Sequence, residues 1–543
     1  MCGIWLLFKD NKINIDVQDK ELLQNFFNIQ RRGPDNTMFL QYPHCIIGFH
    51  RLSIMDTTNS SNQPYIYNKK DKTIIFMCNG EIYNYKWLET KYDLNVNRSD
   101  CKIIPELYLQ SKDDKSFAEL FKKEIKGEFA FVIIELDKHQ NVTKIVAGRD
   151  MIGIRPLYHD KHNFFTSELK GGIQYSGKLF EFPPGNIMSY SISALEEINR
   201  KLYNFEWIYN VKPILKDETC YLGKIRNAVI NSVKRRLDSD RDIAFLVSGG
   251  VDSSLVAGIA SKILKTPIKT FCCGMEGSTD IKHSRQVAKY IESKHHEVMF
   301  TKDDGFNSIT EVVYATETWD TTTIRASVGQ FIVSKYISQN TNCKVVLVGE
   351  GPDEVCSSYL FNYYAPDGKS LHDCAIEYVK KLHNFDIKRV DRCVAHWGLE
   401  ARVPLLDPEV IEAYWEIPPE WRHPKHKGFE KWWLRMAFEG FDVLPKHILW
   451  RKKEAFSDGV SSTKESWYST IQKRVESIQI PSDAKEPSKE AYYFKQLFID
   501  QFGKHLEHVV PHYWLPKWNQ KGEEVKQYMD PSARVLDVYN VKE

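Results

Sequence analysis

Residues 243–247, Ile-Ala-Phe-Leu-Val, form a short wholly apolar run that passes straight into Ser248-Gly249-Gly250 and then into a helical pattern over 253–264. A strand with no polar alternation must be covered on both faces, as in parallel sheets sandwiched by helices. The surrounding chain keeps the same rhythm, with helices over 221–237 and 284–291 and strands over 268–272, 298–300 and 345–348. The pattern predicts an α/β region with a doubly wound parallel sheet, followed by a largely helical stretch beyond about residue 400.

The first 200 residues read differently. Apolar runs at 4–8, 45–51, 73–78, 129–136, 142–147 and 164–166 alternate with Gly- or Asn/Asp-rich breaks, and helical stretches at 21–29 and 103–110 lie between them. That predicts a mostly β domain covered by a few helices. Residues 195–215, which include Pro213, carry no clear period and read as the junction. The expected domains are therefore 1–200 and 213–543.

Composition narrows the class. The chain has 543 residues, with 74 Lys and Arg against 72 Asp and Glu, a formal net charge of +2. That balance excludes a strongly basic nucleic-acid coat and an acidic disordered tail. No apolar run approaches the roughly 18 residues of a membrane helix. The 11 cysteines are odd in number and scattered, which suits thiols in a reducing compartment. With no basic, apolar leader at the start, the expected location is cytoplasmic.

One of those thiols stands apart. The chain opens Met1-Cys2-Gly3 ahead of its first strand. Removal of Met1 would give Cys2 a free α-amine, which titrates near ~8 and can serve as base for its own thiol. The plainer reading is a small second residue that merely permits methionine removal. Downstream segments favour chemistry. Arg51 can grip a carboxylate through two parallel hydrogen bonds, and Glu81 and Asp100 can hold an ammonium. Asn79 can offer its side-chain amide, and Gly80 its backbone N–H, to a developing oxyanion. Those groups match glutamine, although Asn79-Gly80 also reads as an ordinary β-turn and Arg51 as a surface charge.

MCGI, RRGPD, FHRLSI, NGEIYN, GEFAFVI and GRDMIGIRPLY, in this order, resemble the type-2 (N-terminal nucleophile) glutamine amidotransferases. The resemblance implies a four-layer α-β-β-α fold and a nucleophilic Cys2 that forms a γ-glutamyl thioester and releases ammonia. It puts glutamine on Arg51, Leu52, Ser53, Ile54, Met55, Asn79, Gly80, Glu81 and Asp100, with Leu52 and Ile54 offering backbone groups. Arg32, Asp150 and Arg155 are expected to hold the domain together.

The run Ser248-Gly249-Gly250-Val251-Asp252-Ser253-Ser254 joins strand to helix. Inward backbone N–H groups, a helix N-terminus and three hydroxyls suit a chain of phosphates. No Gly-Lys-Ser/Thr follows, so it is not a Walker loop; a plain tight connection is the alternative. The run resembles the pyrophosphate loop of ATP pyrophosphatases. Together with DTTTIRAS, GEGPDE, GLEARVPLLD and WRKKEAFSDG, it resembles the glutamine-dependent asparagine synthetases over nearly the whole chain.

That resemblance implies three small-molecule substrates, L-glutamine, L-aspartate and ATP, with Mg²⁺ as cofactor. Nucleic acid and membrane are not expected as partners, and a homodimer is left open. ATP would contact Val247, Ser248, Gly249, Gly250, Asp252, Ser253, Ser254, Cys273, Val348, Gly349 and Lys453. Asp252 and Asp353 would bind the metal, and Thr322, Thr323 and Arg325 the aspartate or its adenylate. Glu350 would accept a proton from the attacking ammonia, and Arg325 and Lys453 would assist catalysis. Lys453 also reads as part of a solvated charge run, and Arg402 and Asp407 as a structural ion pair. Val348 and Pro352 stand where the family has serines, and Leu169 where it has alanine. A β-lactam-synthetase-like or other amide-forming ligase, and a silent protein with the same fold, are the other readings; intact Cys2, Arg51, Asn79–Glu81 and Asp100 weigh against the first, and retention of both sets of motifs weighs against the second.

Overall fold

The computed structural model describes residues 1–8, 20–160, 164–174, 178–192, 198–452, 459–461 and 466–527. Its N-terminal part holds two six-stranded antiparallel sheets. The first has the order β10-β8-β9-β1-β3-β2, in which β1 is Gly3–Phe8, β2 Asn36–Tyr42, β3 Cys45–Arg51, β8 Tyr158–His159, β9 Phe164–Thr166 and β10 Phe180–Glu181. The second has the order β12-β11-β7-β6-β5-β4, with β4 Tyr65–Asn68, β5 Lys72–Ile82, β6 Gly127–Asp137, β7 Val142–Arg149, β11 Asn186–Ile192 and β12 Ile198–Asn204.

The two-residue period of each strand builds the layers. Ile4 and Leu6 of β1 cluster with Ile75 and Met77 of β5 and Val132 of β6, which places them between the sheets. Their neighbours Trp5 and Leu7 face the other way and pack with Leu22 and Phe26 of helix Lys20–Asn28. On the far sheet, Phe76 and Phe131 meet Phe117 and Phe121 of helix Asp114–Lys123. The result is the expected α-β-β-α sandwich. The strands β2, β4, β8, β10 and β11 were not among the expected runs. Residues 198–204 form β12 and pair with β11, so they belong to the second sheet and not to a linker.

The C-terminal part carries a five-stranded parallel sheet of order β15-β14-β13-β16-β17. Here β13 is Asp242–Leu246, β14 Lys269–Gly274, β15 Lys294–Met299, β16 Cys343–Leu347 and β17 Glu400–Arg402. The chain winds outward from β13 to β15, then returns to lay β16 on the other side of β13. That reversal creates a switch point between β13 and β16, where open α/β sheets bind ligands at the strand C-termini.

Buried charges fasten the two parts. Glu128, fully buried, accepts from Arg155 at 3.0 Å and from Arg236 at 2.8 Å. Arg155 also donates to Ala401 O at 2.8 Å, and Arg32 to Asp391 and Glu168, each at 2.8 Å. Asp150 accepts backbone N–H groups from Ile152, Gly153, Ile154 and Arg155, closing the turn after β7. The three groups expected to brace the N-terminal domain do so, and two of them also reach across the interface. All eleven cysteines are free thiols, ten of them buried. No helix among the described residues is long and apolar enough to cross a membrane.

Candidate active sites

The end of β1 delivers Cys2 beside β5. Its backbone N–H donates to Asn79 Oδ1 at 2.8 Å, and its Sγ lies 3.8 Å from Leu52 O. Asn79 and Gly80 are not a turn: they lie inside β5 and pair with Ala130 and Phe129 of β6. Gly80 has φ +156°, and a Cβ there would stand 2.2 Å from Glu128 O, so only glycine lets β5 approach β6 this closely. The Asn79 Nδ2 group is buried without a hydrogen-bond partner. A buried amide donor left unsatisfied beside a thiol has a hydrogen bond to offer an incoming oxygen.

A pocket opens here, lined by Cys2, Arg51, Leu52, Ile54, Met55, Gly80, Glu81 and Asp100. Ser53 is absent from the lining; its N–H is held by Asp35 and its carbonyl by Arg241. Arg51 donates to Thr58 O at 2.8 Å, Asn62 Oδ1 at 2.7 Å, Met55 O at 3.3 Å and Asp56 O. It holds the 52–62 loop against the cavity as well as placing a cation there. Asp100 accepts the Ile82 N–H at 2.8 Å.

The same cavity contains a residue from the other domain, Glu400 of β17. Glu400 lies 3.5 Å from the Met1 amine and accepts from Arg402 Nε at 2.8 Å, while Arg402 Nη2 lies 3.2 Å from Glu81. The expected Arg402–Asp407 pair does not form; Asp407 is held by Arg235 and Arg236. Burial pushes the Glu81 carboxyl well up, with Glu400 and Asp100 adding repulsion and Arg402 opposing. Burial pushes Asp100 up to about 6. Burial acts the same way on Glu400, but the terminal amine, Arg402 and Arg155 outweigh it and hold this carboxyl down to about 2. Burial raises the Cys2 thiol, so it needs a base to ionise.

The second site lies at the switch point. A broad pocket is lined by the loop after β13, including Val247, Ser248, Gly250, Asp252 and Ser253, by Gly349–Glu354 after β16, and by Cys273 of β14. Gly249 (φ +75°) packs against His283, where a Cβ would come within 2.4 Å. Ser248 Oγ meets Ser253 Oγ at 3.0 Å and accepts Gly250 N–H at 3.2 Å. Gly249, Ser254 and Val348 lie behind the lining. Val348 is buried and donates its N–H to Arg402 O at 3.1 Å. Pro352 begins helix Pro352–Val355, where an N–H has no partner within the helix.

Asp252 and Asp353 approach each other across the switch point and share one cation. Lys431 Nζ is 2.7 Å from Asp353 Oδ1 and also bonds Asp252 Oδ2. Burial alone would lower this lysine's pKa, but the two carboxylates outweigh it and raise it. Lys431 has φ +55°, a strained conformation for a side chain of this size. Two carboxylates with an ammonium between them fit a divalent cation completed by phosphate oxygens. Glu350 accepts from Arg389 at 3.3 Å; Arg389 also bonds Gln330 Oε1 at 3.0 Å and Asp386 Oδ1 at 2.7 Å. Burial raises the Glu350 carboxyl against the pull of Arg389, the direction a proton acceptor needs.

Three expected residues stand elsewhere. Arg325 is closed onto Glu490 of helix Lys489–Phe502, at 2.8 and 2.5 Å, and does not line the cavity. Thr323 donates its N–H and its hydroxyl to Asp320, which caps that helix, and Thr322 is also outside the lining. Lys453 falls outside the described residues; Arg451 and Lys452 just before it line the cavity. Gln330, Asp386, Arg389, Glu400 and Lys431 were not singled out from the sequence. Only Glu400 lay in a motif already noted.

One pocket suited to opening an amide and one suited to a nucleotide's phosphates, in one chain, define an ATP-dependent amidotransferase. The sequence profile of the glutamine amidotransferase domain matches residues 1–213, and that of asparagine synthase matches 224–375 and 364–526. The chain is 36% identical to the asparagine synthetase (glutamine-hydrolyzing) of Mesocricetus auratus, over 99% of both chains. It is 36% identical to the Homo sapiens protein of the same name, again over 99% of both. The chain belongs to the glutamine-hydrolysing asparagine synthetases.

Proposed function

We propose that this chain makes asparagine from aspartate, with glutamine as nitrogen donor and ATP as activator. The observation that carries the reading is the presence of both pockets in one chain, with β17 lending Glu400 to the first and pairing with β16, which leads into the second. With Met1 removed, the Cys2 amine takes the thiol proton as Sγ attacks the glutamine amide carbon. Asn79 Nδ2 and Gly80 N–H receive the oxyanion, ammonia leaves with the proton, and water hydrolyses the thioester to glutamate. Glu81 and Asp100 bind the substrate ammonium. Both are pushed toward the neutral form when the cavity holds no substrate cation, so its arrival favours their ionisation.

At the switch point, an oxygen of aspartate's β-carboxylate attacks the α-phosphorus, the bond to the β-phosphate breaks and pyrophosphate leaves. Asp252 and Asp353 would hold Mg²⁺, which neutralises phosphate charge. Arg389 fits the α-carboxylate of aspartate and Asp386 its ammonium, in place of Arg325 and the two threonines. Ammonia then attacks the acyl carbon, Glu350 takes its proton and AMP leaves. Incubation with glutamine, aspartate and Mg-ATP tests the reading: glutamate, asparagine, AMP and pyrophosphate are expected, and ADP as product would exclude it.

A further inference from the structure

Glu400 comes from the C-terminal sheet yet lies in the cavity of Cys2. Its carboxylate is 3.5 Å from the Met1 amine, one residue from the Cys2 nitrogen. It is 2% exposed, and Arg402 Nε fixes its other oxygen at 2.8 Å. When Met1 is removed, that carboxylate loses its ammonium partner, and the new α-amine is the donor that takes the vacated position in sequence. The Cys2 nitrogen already donates one hydrogen to Asn79 Oδ1 at 2.8 Å. A neutral amine has two hydrogens and one lone pair. With one hydrogen on Asn79 and the second on Glu400, the lone pair is left for the thiol.

We infer that Glu400 is a positioning residue of the glutaminase site, supplied by the synthetase domain to orient the Cys2 amine as base. This is the logic of a nucleophile, a base and a third group that orients the base. It rests on the reading of Cys2 as the nucleophile. The charged groups that face the amine are Glu400 and Arg402 of β17, Arg155 after β7, Arg32 before β2, and Glu81 and Asp100 across the cavity.

The test compares Glu400→Gln and Glu400→Asp in the full-length, Met1-processed protein. For Glu400→Gln, glutaminase kcat is expected to fall about 10- to 100-fold with KM for glutamine held within about twofold. Removing a carboxylate lowers the pKa of the ammonium beside it, so the acid limb of kcat/KM shifts to lower pH. Glu400→Asp recovers part of the rate. Ammonia-dependent synthesis, read on the same samples, reports that the variants are folded. A raised KM with kcat kept would make Glu400 a substrate contact. Equal loss of glutamine- and ammonia-dependent synthesis would make it structural, and an unchanged acid limb would show that it does not act on the amine; each overturns the inference. Cys2→Ala is run in parallel: if it keeps glutaminase activity, the Cys2 reading itself fails, whatever Glu400 does.

Discussion

Lys431 Nζ lies 2.7 Å from Asp353 Oδ1 and reaches Asp252 as well, so a lysine stands between the carboxylate of the phosphate loop and the one that follows β16. Replacing it with Met leaves like charges facing each other. Lys431→Met is expected to lose about 2 kcal/mol without metal, less than the ~3–5 kcal/mol of a fully buried pair because Asp353 is 32% exposed. Thermal melts with and without Mg²⁺ should show a larger metal-induced gain in the variant than in the parent. Equal gains would mean that lysine and metal do not share the site.

Cys2→Ala removes the thiol while leaving the switch-point cavity untouched. Glutamine-dependent asparagine formation should drop by about three orders of magnitude or more, and ammonia-dependent formation should stay within about twofold. Parallel assays with the two nitrogen donors decide it, and loss of both would contradict the separation of the two sites.

Asp353→Asn acts on the other pocket. Pyrophosphate release should fall at least about 100-fold, whereas glutamate release from glutamine should change by less than about twofold. The discriminating quantity is the ratio of the two rates in one preparation.

Gly80→Ala places a Cβ 2.2 Å from Glu128 O, and that atom is backbone of the partner strand. Strands β5 and β6 must part, at a cost of about 1–3 kcal/mol, and the Asn79 amide moves with them. Urea unfolding should show the loss, and glutaminase activity should fall further than stability alone accounts for.

His50 is buried between Thr37 and Phe26 O, and burial brings its pKa down to about 4 from 6.5. As pH falls below 6.5, the unfolded chain takes up this proton and the folded chain does not. Stability therefore drops between pH 6.5 and about 4. His50→Gln should flatten that part of the profile, as measured by urea midpoints at pH 7 and 4.5; a parallel profile would exclude His50 as a contributor.

How much could be read in advance depends on whether the signal was local. The strand at 45–51 and the helix at 103–110 coincide with β3 and with helix Ile103–Gln110, because their apolar pattern and breakers lie within a few residues. Asn79-Gly80 has the composition of a turn, yet ladder pairing with Ala130 and Phe129 overrides that preference. Strand β2 faces solvent partly on both sides, so it lacks a clean alternation. The Cys2 pocket and the phosphate loop were legible because their residues cluster in short motifs. Arg402 was visible but was paired with its neighbour Asp407, whereas its partner Glu81 is hundreds of positions away and nothing in the spacing encodes that contact. Arg325 failed for the same reason: its partner is Glu490.

Strand β17 is three residues long and belongs by pairing to the parallel sheet, where Glu400 and Arg402 sit opposite Val345 and Leu347. Its side chains nevertheless finish a pocket in the other half of the molecule. The two halves are thus not interchangeable modules. An amidotransferase half grafted from a relative would meet this chain's own Glu400 and Arg402, so groups that border its pocket lie outside any contiguous N-terminal graft.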